Sequence, residues 1–155
     1  MAEAGKEAPD FTLQDQDWET HSISDFRGQK VLLYFYPRDN TPGCTVQACN
    51  FRDNLDKLKK RGVHVVGVSG DSVESHKKFV AKHNLNFPLL ADTEKDVAQM
   101  YKVWVEKNMY GRKHMGIQRD SFLINENGVV MKHYKKVKPN EHIEEVLRDA
   151  GVRKR

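Results

Sequence analysis

Three features of this 155-residue chain predict an α/β fold with a central sheet packed between helices. An unbroken apolar run, Val31-Leu32-Leu33-Tyr34-Phe35-Tyr36, is long enough for a strand buried on both faces. After a polar turn, Ala48, Phe51, Leu55 and Leu58 recur at the three-and-four spacing of an amphipathic helix. A second apolar run, Val63-His64-Val65-Val66-Gly67-Val68, follows at once. Strand, helix and strand in this order form a right-handed crossover with parallel strands.

The remaining elements are read around that unit. Phe11 and Leu13 alternate with polar neighbours, and His21-Ser22-Ile23 does so again after an acidic turn, which predicts a short N-terminal β-hairpin. Ser24-Asp25-Phe26-Arg27-Gly28 is a brief helical turn or loop leading into the buried strand. The long helix opens with Thr41 as N-cap and Pro42 at its first position, where a missing N–H costs nothing. It runs about five turns, with Lys59-Lys60-Arg61 at its negative pole and Gly62 as terminator. Asp71 or Ser72 caps a second helix that carries Val73, Phe79 and Val80 inward and stops between Asn84 and Pro88. A short helix is expected from about Glu94 to Tyr101. The stretch from Lys102 to Gln118 has no clear period and is expected as a long loop with apolar contacts from Trp104, Met109, Tyr110 and Met115. Ser121-Phe122-Leu123-Ile124 and Val129-Val130-Met131 flank Asn125-Glu126-Asn127-Gly128, a hairpin signal. A last helix bearing Ile143, Val146 and Leu147 ends at Gly151. This order is the plan of a thioredoxin-like fold, a central mixed β-sheet flanked by helices. The N-terminal β-hairpin extends it, and residues 1–155 are expected to form a single domain.

Composition narrows the function classes. The net charge of +4 and a pI near 9.0 raise nucleic acid as a partner. The bases, however, are interleaved with 22 acidic residues, and only Lys135-Lys136-Val137-Lys138 and Arg153-Lys154-Arg155 cluster. Solvated lysines on element surfaces are the expected reading, with no nucleic-acid partner. No apolar run is long enough to span a bilayer, and the first residues lack the apolar core of a signal peptide. A cytoplasmic location without membrane contact is therefore expected. In that reducing setting a cysteine pair is more often catalytic or metal-binding than a static staple.

Both cysteines lie in the thirteen residues from Pro37 to Cys49, five positions apart. Cys44 falls in the first turn of the long helix, where unpaired backbone N–H groups and the helix dipole favour an anion, and the thiolate is the reactive form. Pro42 and Gly43 keep side chains out of the approach to the sulfur, and Thr41 brings a hydroxyl beside it. Three readings compete at this point. The cysteines are inert small residues of a helix; or they hold zinc, for which no second pair of ligands stands at a suitable spacing; or Cys44 is a nucleophile with Cys49 as its partner. A thioredoxin-type dithiol would need a two-residue gap.

The string Pro37-x-x-x-Thr41-x-x-Cys44 resembles the active-site signature of the peroxiredoxins. Phe35-Tyr36-Pro37, Thr41-Pro42-Gly43-Cys44-Thr45, Ala48-Cys49 and Phe51-Arg52-Asp53 are similar to the bacterioferritin-comigratory-protein, or PrxQ, subfamily. So are Ala8-Pro9-Asp10-Phe11, Gly67-Val68-Ser69 and Gly116-Ile117-x-Arg119 ahead of Phe122-Leu123-Ile124, so the resemblance runs nearly the whole chain. Two positions depart from it: Gln47 stands where many members carry Glu, and Trp18 where members often have Gly.

The resemblance implies a thiol peroxidase that reduces hydrogen peroxide and small organic hydroperoxides, with no metal and no cofactor. It implies Cys44 as the peroxidatic cysteine and Cys49 as the resolving one, joined in an intrachain disulfide that thioredoxin or a similar dithiol re-reduces. Thr41 would hydrogen-bond the peroxide, Pro37, Pro42 and Gly43 would shape the pocket, and Arg119 would sit beside the sulfur. Arg52 would support Arg119 or pair with Asp53 or Asp56. Resolution within one chain needs no dimer, so a monomer is expected, with a dimer left open. The alternative is a thioredoxin-fold redox sensor or binding module that oxidises without turning over.

Overall fold

The computed structural model describes residues 3–151. In chain order it contains β1 (Thr12–Gln14), β2 (Thr20–Ser22), a 3-10 turn (Ile23–Phe26), β3 (Lys30–Phe35), α1 (Pro42–Lys60), β4 (Val63–Ser69) and α2 (Val73–His83). Then come β5 (Leu89–Ala91), α3 (Asp96–Met100), β6 (Trp104–Met109), β7 (Arg112–Ile117), β8 (Ser121–Ile124), β9 (Val130–Tyr134) and α4 (His142–Asp149). The central sheet has the order β5-β4-β3-β8-β9; β3, β4 and β5 are parallel, β8 runs against β3, and β9 runs against β8. This is the mixed thioredoxin-like sheet that the sequence predicts.

The apolar run of β3 is buried on both faces, as its unbroken character requires. Leu32, Tyr34 and Tyr36 pack with Cys44, Ala48, Phe51, Leu55 and Leu58 of α1 and with Ile143 and Val146 of α4. Val31, Leu33 and Phe35 point the other way, into a cluster with Phe11, Val97, Tyr101, Val103 and Ile117. The period-two alternation of the strand thus separates a layer holding the cysteine helix from a layer holding α3.

The ends of the elements follow local chemistry. Ser72 caps α2 by accepting from the Ser75 N–H at 3.1 Å, and Asn84 closes that helix in the left-handed region at φ 52°. The N-terminal hairpin pairs Thr12 with Ser22, and its turn places Trp18 at φ 63°. A glycine would adopt that conformation at no steric cost, so the departure noted at Trp18 carries local strain.

Two expectations are corrected. Lys102 to Gln118 is not a loop: β6 and β7 form an antiparallel hairpin, closed by Tyr110 and Gly111 at φ 56° and 78°. Two consecutive left-handed residues make the tight turn whose twist matches a hairpin. The hairpin stands off the central sheet as its own two-stranded sheet, so most of its side chains alternate between two wet faces and leave no apolar period. Residues 89–91, which the sequence reading leaves without an element, are β5. It pairs Gly67, Val68 and Ser69 of β4 with Leu89, Leu90 and Ala91. The Arg153-Lys154-Arg155 cluster lies outside the described residues, as does the side chain of Met109.

Candidate active site

The sharp turn from β3 into α1 is held from behind by Asp39. Its buried carboxylate takes the Tyr36 hydroxyl at 2.6 Å and the Ser75 hydroxyl at 2.8 Å, and lies 2.7 Å from His76 Nδ1. Its own N–H donates to Asp71 Oδ2 at 2.7 Å. The loop from Pro37 to Thr41 is thus tied to the start of α2, and α1 begins from a fixed point. Thr41 is the N-cap residue by backbone conformation, but its hydroxyl donates to the Arg38 carbonyl at 3.0 Å rather than accepting from the helix. Its oxygen lone pairs stay available to accept from a hydroxylic ligand.

Cys44 is the third residue of α1 and is buried; Cys49, on the same continuous helix, is half-buried, and both are free thiols. Five helical residues give a rise of about 7.5 Å and a rotation of about 140°, which puts their Cα atoms roughly 8–9 Å apart. A disulfide needs them within about 7 Å.

Arg119 reaches the sulfur from a segment 75 residues further along the chain. It lies between β7 and β8, on a segment pinned by backbone bonds from the Phe35 N–H to the Asp120 carbonyl and from the Val137 N–H to the Arg119 carbonyl. The Asp120 carboxylate adds bonds to the Lys136 N–H, the Gln118 amide and His133. Burial alone would raise the Asp120 carboxyl; these partners together hold it below its ordinary value. From this platform Arg119 Nη2 donates to Cys44 Sγ at 3.3 Å and Nη1 to Gln47 Oε1 at 2.8 Å. Gln47 is buried one turn along α1, so the guanidinium fork is aimed by one side chain of the helix at another. A Cβ on Gly43 would sit 3.1 Å from Nη2, so the glycine leaves room for the fork.

Pro37, Thr41, Gly43, Cys44 and Arg119 are therefore brought together, with Pro42 opening the helix beside them. Two clefts of about 560 Å³ each meet at Pro37. One is lined by Arg119, the other by Thr41, Trp104 and Met115, and Lys107 lines both. Tyr110, at the hairpin tip, is almost fully exposed and takes no part. Arg52 is not part of this group: it bonds Asp53 at 2.9 Å and the His83 carbonyl at 2.6 Å, tying α1 to the end of α2. Sequence reasoning missed Lys107, because a lysine in a segment without period carries no signal. It noted Gln47 as a departure but had no means of placing it on Arg119.

The AhpC/TSA family pattern matches residues 4–133, and peroxiredoxin Bcp of Bacillus subtilis is 45% identical over 145 residues, 94% of this chain and 92% of that one. The chain belongs to the AhpC/TSA family, as a peroxiredoxin of the Bcp/PrxQ kind. Peroxiredoxin Bcp of Escherichia coli K12 is 48% identical over 144 residues, covering 93% of this chain and 92% of that one. Among solved structures, peroxiredoxin Q of Xanthomonas campestris superposes with a TM-score of 0.89 at 36% identity, over 95% of this chain and 96% of that one. A PrxQ mutant of Xylella fastidiosa does so at 0.90 and 34%, over 96% and 94%. The peroxiredoxin is thus a thiol-dependent peroxidase, and its only two thiols lie on α1, Cys44 within the cluster described above and Cys49 five residues further on. Among the described residues no helix is long and apolar enough to cross a membrane.

Proposed function

We propose that Cys44 is the peroxidatic cysteine and Cys49 its resolving partner. The Cys44 thiolate attacks one peroxide oxygen, forming an S–O bond as the O–O bond breaks. The departing oxide takes a proton and leaves as water or an alcohol. The sulfur is left as a sulfenic acid. The Cys49 thiol then attacks that sulfur, an S–S bond forms, and water leaves. A thioredoxin-like dithiol supplies the two electrons and two protons that restore both thiols.

The Arg119 guanidinium at 3.3 Å from Cys44 Sγ carries this reading. A cation beside the sulfur stabilises the thiolate and any negative charge that develops on the leaving oxygen. Thr41 accepts the O–H of the bound peroxide and orients its O–O bond, while Pro37, Pro42 and Gly43 shape the approach. The separation of the two cysteines on α1 requires its first turns to unwind before the disulfide closes. Gly43, Thr45 and Val46 are poorer helix formers than alanine, which eases that step. A Xanthomonas campestris bacterioferritin comigratory protein, 36% identical, is described by its alkyl peroxide reduction activity, which supports organic hydroperoxides beside hydrogen peroxide as substrates. Resolution within one chain fits a monomer in the cytoplasm, independent of nucleic acid and membrane.

The test is peroxide consumption coupled through thioredoxin and its reductase to NADPH oxidation. The reading expects many NADPH consumed per enzyme. One equivalent, with no further turnover in the presence of any dithiol donor, would make the protein a sensor instead.

A further inference from the structure

Lys107 is built into the active-site mouth rather than left in solvent. Its stem crosses the hairpin over Gly116, where an added Cβ would lie 3.2 Å from Cδ and 3.3 Å from Cε. Its ammonium donates to the Ile117 carbonyl at 2.7 Å, two residues before Arg119. A glycine thus supplies the channel, a carbonyl supplies the anchor, and a cation is fixed where the two clefts meet. Burial first, and then the like charge of Arg119, push the lysine below its ordinary value, while the Cys44 sulfur acts the other way. The three groups therefore share one field.

Arg38, Lys95 and Lys136 also line the clefts, beside Lys107 and Arg119. Arg119 already faces Cys44, and Lys107 forms no ion pair among the described residues. The acidic groups lining the clefts are Glu106, exposed at the rim, and Asp71, whose Oδ2 takes the Ser69 hydroxyl and the Asp39 N–H. A half-buried ammonium with one of three donors engaged is a receptor for an anion.

We propose that Lys107 is a specificity-determining residue that receives a carboxylate of the substrate, so that hydroperoxides bearing a carboxylate react faster than neutral ones of the same size. This rests on the peroxidase reading of Cys44. The test uses a short hydroperoxy-alkanoate and its methyl ester, reacted separately with the reduced protein in stopped flow, which needs no external reductant. The acid is expected to show the larger second-order rate constant. In Lys107→Met the acid-to-ester ratio should fall about tenfold, the loss of one hydrogen bond to a charged group at the low end of its usual range, and Lys107→Arg should keep it. In the wild type, raising the ionic strength to about 1 M, where screening acts within about 3 Å, should shrink the ratio, so the outcome does not depend on a variant folding. Equal constants for acid and ester in the wild type, or a ratio unchanged in Lys107→Met, would make Lys107 a clamp for the hairpin only and overturn the proposal. Failure of both peroxides to oxidise Cys44 would overturn the peroxidase reading and this inference with it.

Discussion

Arg119 Nη2 stands 3.3 Å from Cys44 Sγ while Nη1 of the same guanidinium holds Gln47 Oε1 at 2.8 Å. The fork is fixed at both prongs, so under the proposed assignment the charge at the sulfur does not need to reorganise as peroxide reacts. Replacing Arg119 with Met is expected to slow the first oxidation by on the order of a hundredfold, the usual cost of one preorganised donor. The slowing should persist at high pH, where the thiol is fully ionised, because oriented charge is lost as well as ionisation. Stopped-flow rates across pH check this; full recovery at high pH would confine Arg119 to favouring the thiolate.

Gly43→Ala separates activity from stability. The added Cβ presses on Arg119 Nη2, while alanine improves helix propensity by up to about 1 kcal/mol over glycine. Oxidation should slow several-fold with Tm unchanged or raised. A variant that reacts at the wild-type rate would show that the guanidinium yields at no cost.

The cysteine helix, the crossover unit and the residues around Cys44 were legible because their signals are local. A Thr-Pro pair opens α1, a three-and-four stripe of buried residues runs down it, and β3 is apolar from Val31 onward. Arg119 was placed by resemblance; no local pattern sets it beside a sulfur 75 residues upstream. The β6–β7 hairpin was illegible, since strands wet on both faces show no alternation and its Tyr-Gly turn lacks the Asn-Gly signature. Lys107 was hidden with it. β5 was lost because three residues are too few to show a period.

Hydrogen exchange on reduced and oxidised protein tests the motion. Amides from Cys44 to about Arg52 are expected to lose protection on oxidation, together with the contact of the Asn50 side chain with the Pro139 carbonyl. The rest of the fold should change less. Equal protection of these amides in the two states would rule out unwinding of α1.

Acid should weaken the fold in a defined window. Burial holds His142 below its ordinary value of 6.5, against an opposing pull from Glu145; its Nε2 lies 2.9 Å from Ser121 Oγ. Below about pH 6.5 the unfolded chain binds a proton that the folded protein resists, so stability falls as pH drops from there toward the folded value. His64, lowered by burial and then by Lys59, adds to the same slope. Urea unfolding at pH 7 and pH 5 should show a smaller loss for His142→Gln than for the wild type. Identical losses would remove His142 from the account.

The division of labour between the two cysteines is tested most directly by intact-mass measurement after one equivalent of peroxide. The wild type should lose two hydrogens, as an intrachain disulfide. Cys49→Ser should gain one oxygen at the wild-type rate and stop there, and Cys44→Ser should stay unmodified. Equal failure of the first oxidation in both variants, or an oxygen gained by Cys44→Ser, would contradict the assignment.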